Sequence, residues 1–340
     1  MNKNNIKLKN YFDLLIDKNI DDRTKCPICI SCISDILNRI YLDLKKNIKE
    51  GEFQRFLKEN SLFGLYHWKE NYYPILLIKL KKLLLMWKEV CNKSLNESNN
   101  LYENIYEKTT FLKAGKSPVN IKAIKYLDSK LVYILGIIYA DGSLRDIWLT
   151  QKKEKRFRWE ITITDESYQN LQKIVQLLEE IFNIKTNVKS VYGGRWYRIL
   201  FNSLILHRIL NKIFEMPMGY KKGKLKIPTV IKKASFDIKR YFLVGFFDGD
   251  GMCSRFNKKK KFTPVISVSQ SSKEILQDLN EILKEKGFNF RLNQKKRNKF
   301  EWYVLETKDK EQIKRFQEEF GFMYHNKKER LKLLVESFNT

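Results

Sequence analysis

Two short stretches place an aspartate and a glycine directly after a run of apolar residues. They read "LVYILGIIYADGSL" at 131–144 and "RYFLVGFFDGDGMC" at 240–253, with the acids at Asp141 and Asp250. A carboxylate at the carboxyl end of a helix faces unpaired carbonyls and the negative pole of the helix dipole, which is unfavourable by about 0.3–1 kcal/mol. A divalent cation reverses this effect, because carboxylates and carbonyls are the oxygen ligands that such ions take. The two aspartates therefore predict a metal site.

Small residues at helical spacing predict that the two acids come together. Gly136 and Ala140 share one helix face, as do Gly245 and Gly249. Because small residues let helix backbones approach closely, we expect the two helices to pack together and to bring their terminal aspartates side by side. The glycine after each aspartate is expected to end its helix in the left-handed conformation; these glycines are Gly142 and Gly251. A single Asp-Gly pair is typical of a turn, whereas two matched pairs favour the metal site.

The charge of the chain favours a polyanionic partner. Lys and Arg number 66 against 39 Asp and Glu, a formal net charge of +27, and these side chains bind nucleic acid by releasing its counterions. The apolar stretch "PILLIKLKKLLLMW" is interrupted by lysines, and the amino terminus lacks the apolar region of a signal peptide, so no membrane partner is expected. An odd total of 5 Cys favours a reducing compartment. We expect an intracellular protein, in the cytoplasm of a prokaryote or in the matrix of an organelle.

From residue 121 onward, the same order of patterns occurs twice. An apolar helix is followed by an alternating strand, an amphipathic helix and a further pair of strands. Corresponding residues keep a nearly constant offset of 105 to 109 positions; the pairs are Asp141 with Asp250, Asp165 with Gln270, and Lys221 with Lys327. The offset predicts two copies of one fold, at residues 121–232 and 233–340.

Residues 1–120 are predicted to form a mainly helical extension. "ISDILNRIYLDLKKNI" and "YPILLIKLKKLLLMWKEV" carry apolar residues at helical spacing. "NKSLNESNN" at 92–100 and "KAGKSPVN" at 113–120 have the composition of loops or linkers. The domain boundary is therefore placed near residue 115, close to the start of the repeated pattern.

The two aspartate stretches resemble the signature of the LAGLIDADG homing endonucleases. The matching residues are "ILGIIYADG" at 134–142 and "LVGFFDGDG" at 243–251. Tyr139 stands where the first acid of the signature usually stands, but the metal ligand of the family is the later acid, which is retained in both copies. Further departures are Ile134 at the first position and Leu135 and Val244 at the second.

The resemblance implies an α+β fold of two pseudo-twofold-related αββαββα repeats. In such a protein the signature helices meet at the interface between the repeats, and two saddle-shaped antiparallel sheets lie over double-stranded DNA. The chain is then expected to be a monomer with internal pseudo-twofold symmetry. The mainly helical region 1–120 lies outside the resemblance.

The resemblance also implies a mechanism. Asp141 and Asp250, with the carbonyls of Ala140 and Gly249, are expected to hold two or three Mg²⁺ ions at the repeat interface. The reaction is hydrolysis of one phosphodiester in each strand across the minor groove of a long, asymmetric target. Its biological setting would be the homing of an intron or of a free-standing gene.

Three further catalytic residues follow from the family's pattern. Gln270 stands where the family often has a water-positioning glutamine, and its counterpart Asp165 is a departure that would make the two half-sites unequal. Lys221 and Lys327 stand at the place of the family's central lysine. A shift of one position leaves Lys222 and Lys328 as the alternatives, and a solvated basic loop is the plainer interpretation.

Specific DNA contacts are expected from outward-facing residues of the strands. The candidates are Arg145, Lys152, Arg158, Lys189, Arg195 and Arg198 in the first repeat, and Arg255, Arg291, Gln294, Lys296 and Arg297 in the second. "NKKKK" at 257–261 is expected to be a loop that contacts phosphates. For each residue, the alternative is the solvated face of a sheet.

The cysteine-rich segment "CPICISC" has two interpretations. Cys26, Cys29 and Cys32 have spacings that suggest a structural zinc site, with Cys91 or His67 as the fourth ligand. No second Cys-x-x-Cys pair completes the site. The alternative is packing of small apolar side chains along one stripe of a helix.

Three other functions compete with that of a nuclease. Some members of the family are RNA-binding intron maturases, and a basic sheet does not distinguish RNA from DNA by composition. A catalytically inactive DNA-binding regulator is disfavoured by the two retained acids. An intein needs a nucleophile after its last Asn, whereas Lys327 follows His325 and Asn326. We therefore expect a free-standing or intron-encoded enzyme.

Overall fold

The computed structural model describes most of the chain. The described residues are 6–17, 27–31, 33–49, 51–70, 73–115, 117, 119–151, 154–254, 263–298 and 300–338. Side chains are not described at 148–151 and 154–157. Within these residues, every helix is too short or too polar to cross a bilayer.

The chain divides into two compact units. The N-terminal unit consists of Leu8–Lys125 together with Leu204–Arg208, and the repeat unit contains the remaining described residues. The first strand of the chain, β1 (Ile6–Lys7), belongs to the repeat unit.

The N-terminal unit contains more sheet than its sequence pattern predicts. Its helices are α1 (Phe12–Leu15), α2 (Ser34–Asn47), α3 (Phe53–Glu59), α4 (Leu65–Lys69), α5 (Leu77–Val90) and α6 (Leu95–Lys108). Its strands are β2 (Ile28–Ile30), β3 (Ile75–Leu76), β4 (Phe111–Ala114) and β5 (Asn120–Lys122). The strands form one antiparallel sheet in the order β3-β2-β4-β5.

Two local expectations for this unit are wrong. The middle of "CPICISC" is strand β2, all three residues of which are buried, so Cys29, the described cysteine of this segment, does not lie on a helix. Helix α6 begins inside the segment 92–100 that has the composition of a loop. Ser94 and Glu97 form a reciprocal capping box there, which supplies partners for the free backbone N–H groups of the first turn.

The repeat unit contains two copies of an αββαββα order. The first copy has α7 (Ser129–Asp141), β7 (Gly142–Gln151), β8 (Glu154–Asp165), α8 (Tyr168–Phe182), β9 (Val188–Val191), β10 (Trp196–Asn202) and α9 (Leu204–Arg208). Helix α9 belongs to the N-terminal unit and continues into a π-helical turn, Ile209–Ile213. After the short helix α10 (Thr229–Lys232), the second copy has α11 (Phe236–Asp250), β11 (Gly251–Cys253), β12 (Ile266–Gln270), α12 (Lys273–Lys284), β13 (Arg291–Arg297), β14 (Phe300–Thr307) and α13 (Lys310–Glu319). Helix α14 (His325–Glu336) ends the described chain, and β6 (Tyr126–Leu127) pairs with β1.

The two repeats have the same sheet topology and strand register. The strand orders are β7-β8-β10-β9 and β11-β12-β14-β13, all antiparallel. Gly142 pairs with Ile163 in the first sheet, and Gly251 pairs with Val268 in the second. The internal duplication predicted from the residue offsets is therefore present in the backbone.

The amphipathic helices cover one face of each sheet. In α8, the residues at helical spacing Leu171, Ile174, Leu178 and Phe182 are buried. In the second repeat, α12 buries a corresponding apolar stripe. We call the face of each sheet opposite these buried residues the open face.

The two signature helices, α7 and α11, pack backbone against backbone. A Cβ added to Gly136 would lie 2.3 Å from the carbonyl oxygen of Phe242, and one added to Gly245 would lie 2.1 Å from that of Tyr133. Tyr133 and Phe242 are equivalent positions of the two repeats, as are Gly136 and Gly245. The two contacts are therefore related as a twofold axis requires. The close packing predicted from the small residues is confirmed, and we call this contact the helix seam.

The expected left-handed ends of these helices are wrong. Gly142 has φ −88° and ψ 163°, and Gly251 has φ −76° and ψ 152°, so both are extended and begin a strand. Glycine is needed for a steric reason instead. An added Cβ would lie 2.4 Å from the carbonyl oxygen of Ile138 or of Phe247, one turn back.

Candidate active site

Both predicted metal ligands lie at the same end of the helix seam. Asp141 is the last residue of α7 and Asp250 is the last residue of α11. Asp141 Oδ2 lies 2.8 Å from the position that a Cβ of Gly249 would take. The carboxylate of the first repeat is therefore packed against the last turn of the second repeat's helix.

Burial and like charge destabilise the ionised form of these acids. Burial, followed by the charges of Asp250 and Asp165, raises the pKa of Asp141 to about 8. Burial also raises the pKa of Asp250, although Lys221, Gln270 and Lys327 oppose the shift. Without a cation, the seam therefore favours a protonated Asp141 near neutral pH.

The two central lysines bind the last carbonyls of the signature helices. Lys221 Nζ donates to the carbonyl oxygen of Tyr139 at 2.8 Å and also to that of Ala140. Lys327 Nζ donates to the carbonyl oxygen of Gly249 at 2.7 Å and to that of Phe247 at 3.2 Å. An ammonium group at this position satisfies orphan carbonyls and opposes the negative pole of the helix dipole.

Each lysine is attracted most strongly by the acid of the other repeat. Burial lowers the pKa of Lys221, and the charge that opposes this most is that of Asp250. Burial lowers the pKa of Lys327 as well, and there Asp141 opposes it most. Each lysine thus partly neutralises the aspartate of the opposite repeat. The alternative residue Lys222 instead places its Nζ 5.6 Å from the ring centre of Phe300.

Gln270 and Asp165 occupy equivalent places but behave differently. Gln270 Nε2 donates to Asp250 Oδ2. Asp165 Oδ1 instead accepts from the backbone N–H of Ser167, and from Asn170 Nδ2 at 3.4 Å. Burial raises the pKa of Asp165. One half of the site therefore has an amide beside its aspartate where the other half has a second carboxylate.

Asp248 and Tyr133 are functional candidates that the sequence analysis missed. Asp248 is fully buried and accepts from Tyr133 Oη at 2.7 Å across the helix seam. It also accepts from the backbone N–H groups of Met323 and Tyr324, just before the helix that carries Lys327. Burial raises the pKa of Asp248 to about 6. Its presence as the first acid of the second motif is the sequence signal for this role.

The first repeat replaces this acid by Tyr139 and keeps a related contact. Tyr139 Oη donates to the carbonyl oxygen of Phe214. Phe214 lies in the segment just before Lys221, as Tyr324 lies just before Lys327. In both repeats, the first-acid position therefore ties the signature helix to the segment that supplies the central lysine.

Several predicted DNA contacts of the first repeat lie on the open face of its sheet. The pairings Arg145 with Glu160, Ile147 with Arg158, and Lys189 with Arg198 put all four basic side chains on the face opposite the buried Ile161 and Ile163. Arg198 lies 5.9 Å from the ring centre of Tyr192. Arg195 is exposed at the hairpin turn.

The strand register separates the predicted contacts of the second repeat. Arg291 and Arg297 point to the open face of the sheet, together with Lys295, which the sequence analysis missed. Gln294 and Lys296 are exposed but lie on the same face of the sheet as the buried Leu305. Gln294 Nε2 donates to Glu301. Lys152, Arg255 and the segment 257–261 lie outside the described residues.

The zinc prediction falls mostly outside the described residues. Cys26 and Cys32 are not described, and the buried Cys29 directs its Sγ to the carbonyl oxygen of Pro27 at 3.7 Å. Cys91 Sγ accepts from Asn47 Nδ2 at 3.6 Å. Within the described part of the chain, there is no group of three or more Cys, His, Asp or Glu that could hold a metal ion, and zinc at the cysteines stays a prediction.

The seam supplies part of a coordination sphere for a hard divalent cation. Its donors are the oxygens of two carboxylates, together with the second lone pairs of the Ala140 and Gly249 carbonyls, which also accept from Lys221 and Lys327. Asp141 accepts no hydrogen bond from the residues that the structure describes, so its oxygens are available as ligands. Mg²⁺ takes one or two carboxylates and completes its shell with water and substrate phosphate. The residues present fit such an ion.

The fold and the paired acids define a duplicated α+β protein with a polar site at its pseudo-twofold seam. Residues 237–321 match the family model of a LAGLIDADG-like domain. The match lies in the second repeat, includes the motif at 243–251, and confirms the resemblance there. Residues 237–321 are thus similar to a LAGLIDADG-like domain and lie within a longer duplicated fold.

Archaeal proteins share sequence similarity with much of the chain. A probable translation initiation factor IF-2 of Methanocaldococcus jannaschii is 24% identical over 250 residues, which are 71% of this chain and 19% of the relative. The tRNA-splicing ligase RtcB of Pyrococcus furiosus is 27% identical over 240 residues, 64% of this chain and 24% of the relative. The chain spans about a quarter or less of the length of these relatives.

Solved homing endonuclease structures are also similar to the chain. I-DmoI in complex with DNA and Mn has 21% identity and a TM-score of 0.41, covering 56% of this chain and 96% of that one. I-LtrWI, a LAGLIDADG homing endonuclease bound to target DNA, has 15% identity and a TM-score of 0.44, covering 63% and 91%.

Proposed function

We propose that the protein is a site-specific, metal-dependent DNA endonuclease. It makes a double-strand break by hydrolysing one phosphodiester in each strand across the minor groove of a long, asymmetric target. Mg²⁺ is the proposed cofactor, double-stranded DNA the substrate, and a monomer the active form.

The pair of acids at the helix seam is the observation that supports this proposal. Asp141 and Asp250 end two helices whose backbones touch, so their separation is set by the main chain. Burial and mutual repulsion make the ionised pair unfavourable without a cation. Two equivalent acids about a pseudo-twofold axis match the pseudo-twofold symmetry of duplex DNA, which presents one scissile bond in each strand.

The residues of this site have separate roles in the proposed reaction. The two aspartates and the terminal helix carbonyls would hold divalent cations, which supply activation of water and charge neutralisation at the leaving oxygen. Lys221 and Lys327 place positive charge beside the phosphate. Gln270 orients the Asp250 carboxylate through its amide. The open faces of the sheets hold the flanking duplex by contacts to phosphates and base edges.

Cleavage of a plasmid that bears the candidate intron-insertion site tests the proposal. We expect linear DNA with Mg²⁺ and none with EDTA. Asp141→Asn and Asp250→Asn are each expected to lower double-strand cleavage by more than about 100-fold, because each removes a metal ligand worth several kcal/mol. Both variants should retain DNA binding in a mobility-shift assay.

An exposed acid provides the matched control. Asp237→Asn changes a carboxylate in the first turn of α11 and should leave cleavage unchanged. Full cutting by either seam variant contradicts the assignment of the metal ligands. Splicing activity on intron RNA without any DNA cleavage would support a maturase instead.

A further inference from the structure

The two halves of the seam differ in charge, although their backbones are equivalent. Gly142 pairs with Ile163, and Asp165 lies two residues further along that strand. Gly251 pairs with Val268, and Gln270 lies two residues further along its strand. Asp165 and Gln270 also each pair with a tyrosine on the next strand, Tyr197 or Tyr303. The difference between the halves is therefore one of side-chain chemistry at a fixed position.

An aspartate at this position cannot do what the glutamine does. Gln270 donates its amide N–H to Asp250 and so stabilises that carboxylate. An ionised carboxylate only accepts hydrogen bonds, so Asp165 offers Asp141 no donor and adds a like charge. The charge of Asp165 makes the ionised form of Asp141 less favourable. Lys327 interacts with the charges of both Asp141 and Asp165.

A buried hydroxyl beside these acids also lacks a partner. Tyr324 is 1% exposed, and its Oη makes no hydrogen bond in the described part of the chain. The charges that act on this hydroxyl are those of Asp165, Asp141 and Asp248. By the offset of the central lysines, its counterpart in the first repeat is Met218, which has no hydroxyl. An unsatisfied buried hydroxyl costs about 1–3 kcal/mol and points to a missing polar partner.

We propose that Asp165 is a further residue of the metal site, and that Asp141 and Asp165 together bind a divalent cation more tightly than Asp250 and Gln270 do. The inference rests on the proposed function. A cation between two carboxylates removes their repulsion, and a water bound to it supplies a partner for the Tyr324 hydroxyl. The strand cut at the Asp141 position is then the strand that is cut at lower metal concentration.

Titration of the full chain with Mn²⁺ in the absence of DNA tests the inference without measuring activity. The free ion is followed by electron paramagnetic resonance. We expect two classes of site in the unaltered protein. Asp165→Asn keeps an oxygen acceptor for Ser167 but loses the charge, and should weaken the tighter class about tenfold or more, as the loss of supporting metal-site residues typically does.

The reciprocal change gives an independent test. Gln270→Asp adds a carboxylate beside Asp250 and should tighten the weaker class, whether or not Asp165→Asn folds well. Asp237→Asn is the control, because it removes an exposed charge from the first turn of α11 and should leave both classes unchanged. On a nicked-product gel, Asp165→Asn should raise the Mn²⁺ concentration needed to cut one strand and leave the other strand unaffected.

Failure of this inference differs from failure of the proposed function. Unchanged Mn²⁺ binding in both Asp165→Asn and Gln270→Asp, with weaker binding in Asp141→Asn, overturns the role of Asp165 and retains the seam as a metal site. Unchanged binding in Asp141→Asn and Asp250→Asn as well would overturn the metal site itself.

Discussion

At the residue scale, Asp141 is less stable in its ionised form than an ordinary aspartate. Its position between α7 and the last turn of α11 removes water and adds the charges of Asp250 and Asp165. Lys327 and Lys221 offset only part of this. A group held in such an environment is typical of a site in which binding of another charge is part of the function.

The pH dependence of stability tests this environment. Because the folded pKa of Asp141 is about 8 against an ordinary value of 3.8, the folded state holds more protons than the unfolded state between these values. The free energy of unfolding in EDTA should therefore fall as the pH rises from about 4 to 8. Asp141→Asn should be more stable than the unaltered protein at pH 8 by about 1 kcal/mol or more.

Urea unfolding at pH 5 and pH 8 measures the difference. The advantage of Asp141→Asn should shrink at pH 5, and saturating Mg²⁺ should reverse it, because the ion binds only the aspartate form of the folded site. Asp237→Asn is the control and should show no gain at pH 8. Equal stability of Asp141→Asn and the unaltered protein at pH 8 in EDTA would contradict the account of Asp141.

At the element scale, the helix seam depends on the absence of side chains. Gly136 and Gly245 each cost about 1 kcal/mol of helix propensity relative to alanine. In return, the backbones of α7 and α11 approach so closely that each glycine faces a carbonyl of the other helix. The position of the two terminal acids is thus fixed by main-chain contact.

Replacement of one seam glycine tests this packing. In Gly245→Ala the new methyl group would lie 2.1 Å from the carbonyl oxygen of Tyr133, and neither backbone can move without separating the helices. We expect a loss of about 3 kcal/mol or more in the free energy of unfolding, at the upper end of overpacking effects.

A glycine outside the seam provides the control in a denaturant titration. In Gly64→Ala the three atoms nearest to the new methyl group all belong to the ring of Trp68, which is half-buried and can turn away. Its effect should stay below about 1 kcal/mol. A similar small effect for Gly245→Ala would show that the seam is less tightly packed than described.

Sequence patterns predict the seam and the duplicated order of elements well, because helix packing depends on small residues at fixed spacing. They fail where a contact distant in sequence decides the outcome. The strands of the N-terminal sheet are two to four residues long, too short for a period-2 pattern. The role of Asp248 depends on Tyr133 and on the start of α14, which no local pattern shows. The extended conformation of Gly142 follows from the strand that begins there.

At the scale of the whole molecule, positive charge is the dominant surface property. The chain has a formal net charge of +27, and basic side chains extend along the open faces of both sheets of the repeat unit. Such a surface favours a polyanion at long range, whereas the seam contributes only a few charges. Affinity for DNA and cleavage of DNA should therefore respond to different substitutions.

The salt dependence of DNA binding tests the role of the open face. Lys295 and Arg297 are exposed on this face of the second sheet. Replacing both by glutamine should lower the slope of log affinity against log salt by about 2, because each phosphate contact releases about one counterion. Fluorescence anisotropy with duplex DNA between 50 and 200 mM salt, roughly the range over which such contacts are lost, measures the slope.

Two exposed lysines on helices serve as the control. Lys284 in α12 and Lys332 in α14 carry the same charge, and their replacement by glutamine should change the slope by much less. Equal changes for both pairs would mean that net charge, and not the open sheet face, determines binding.

The N-terminal unit is assembled from two separate stretches of chain, Leu8–Lys125 and Leu204–Arg208. All five residues of the second stretch are buried, and Arg208 donates to the carbonyl oxygen of Leu15. During translation, the ribosome must therefore deliver residue 208 before this unit can complete its core. By that point, the nascent chain already contains α7 and the whole first sheet, so the N-terminal unit cannot complete its core before these elements of the first repeat have been synthesised.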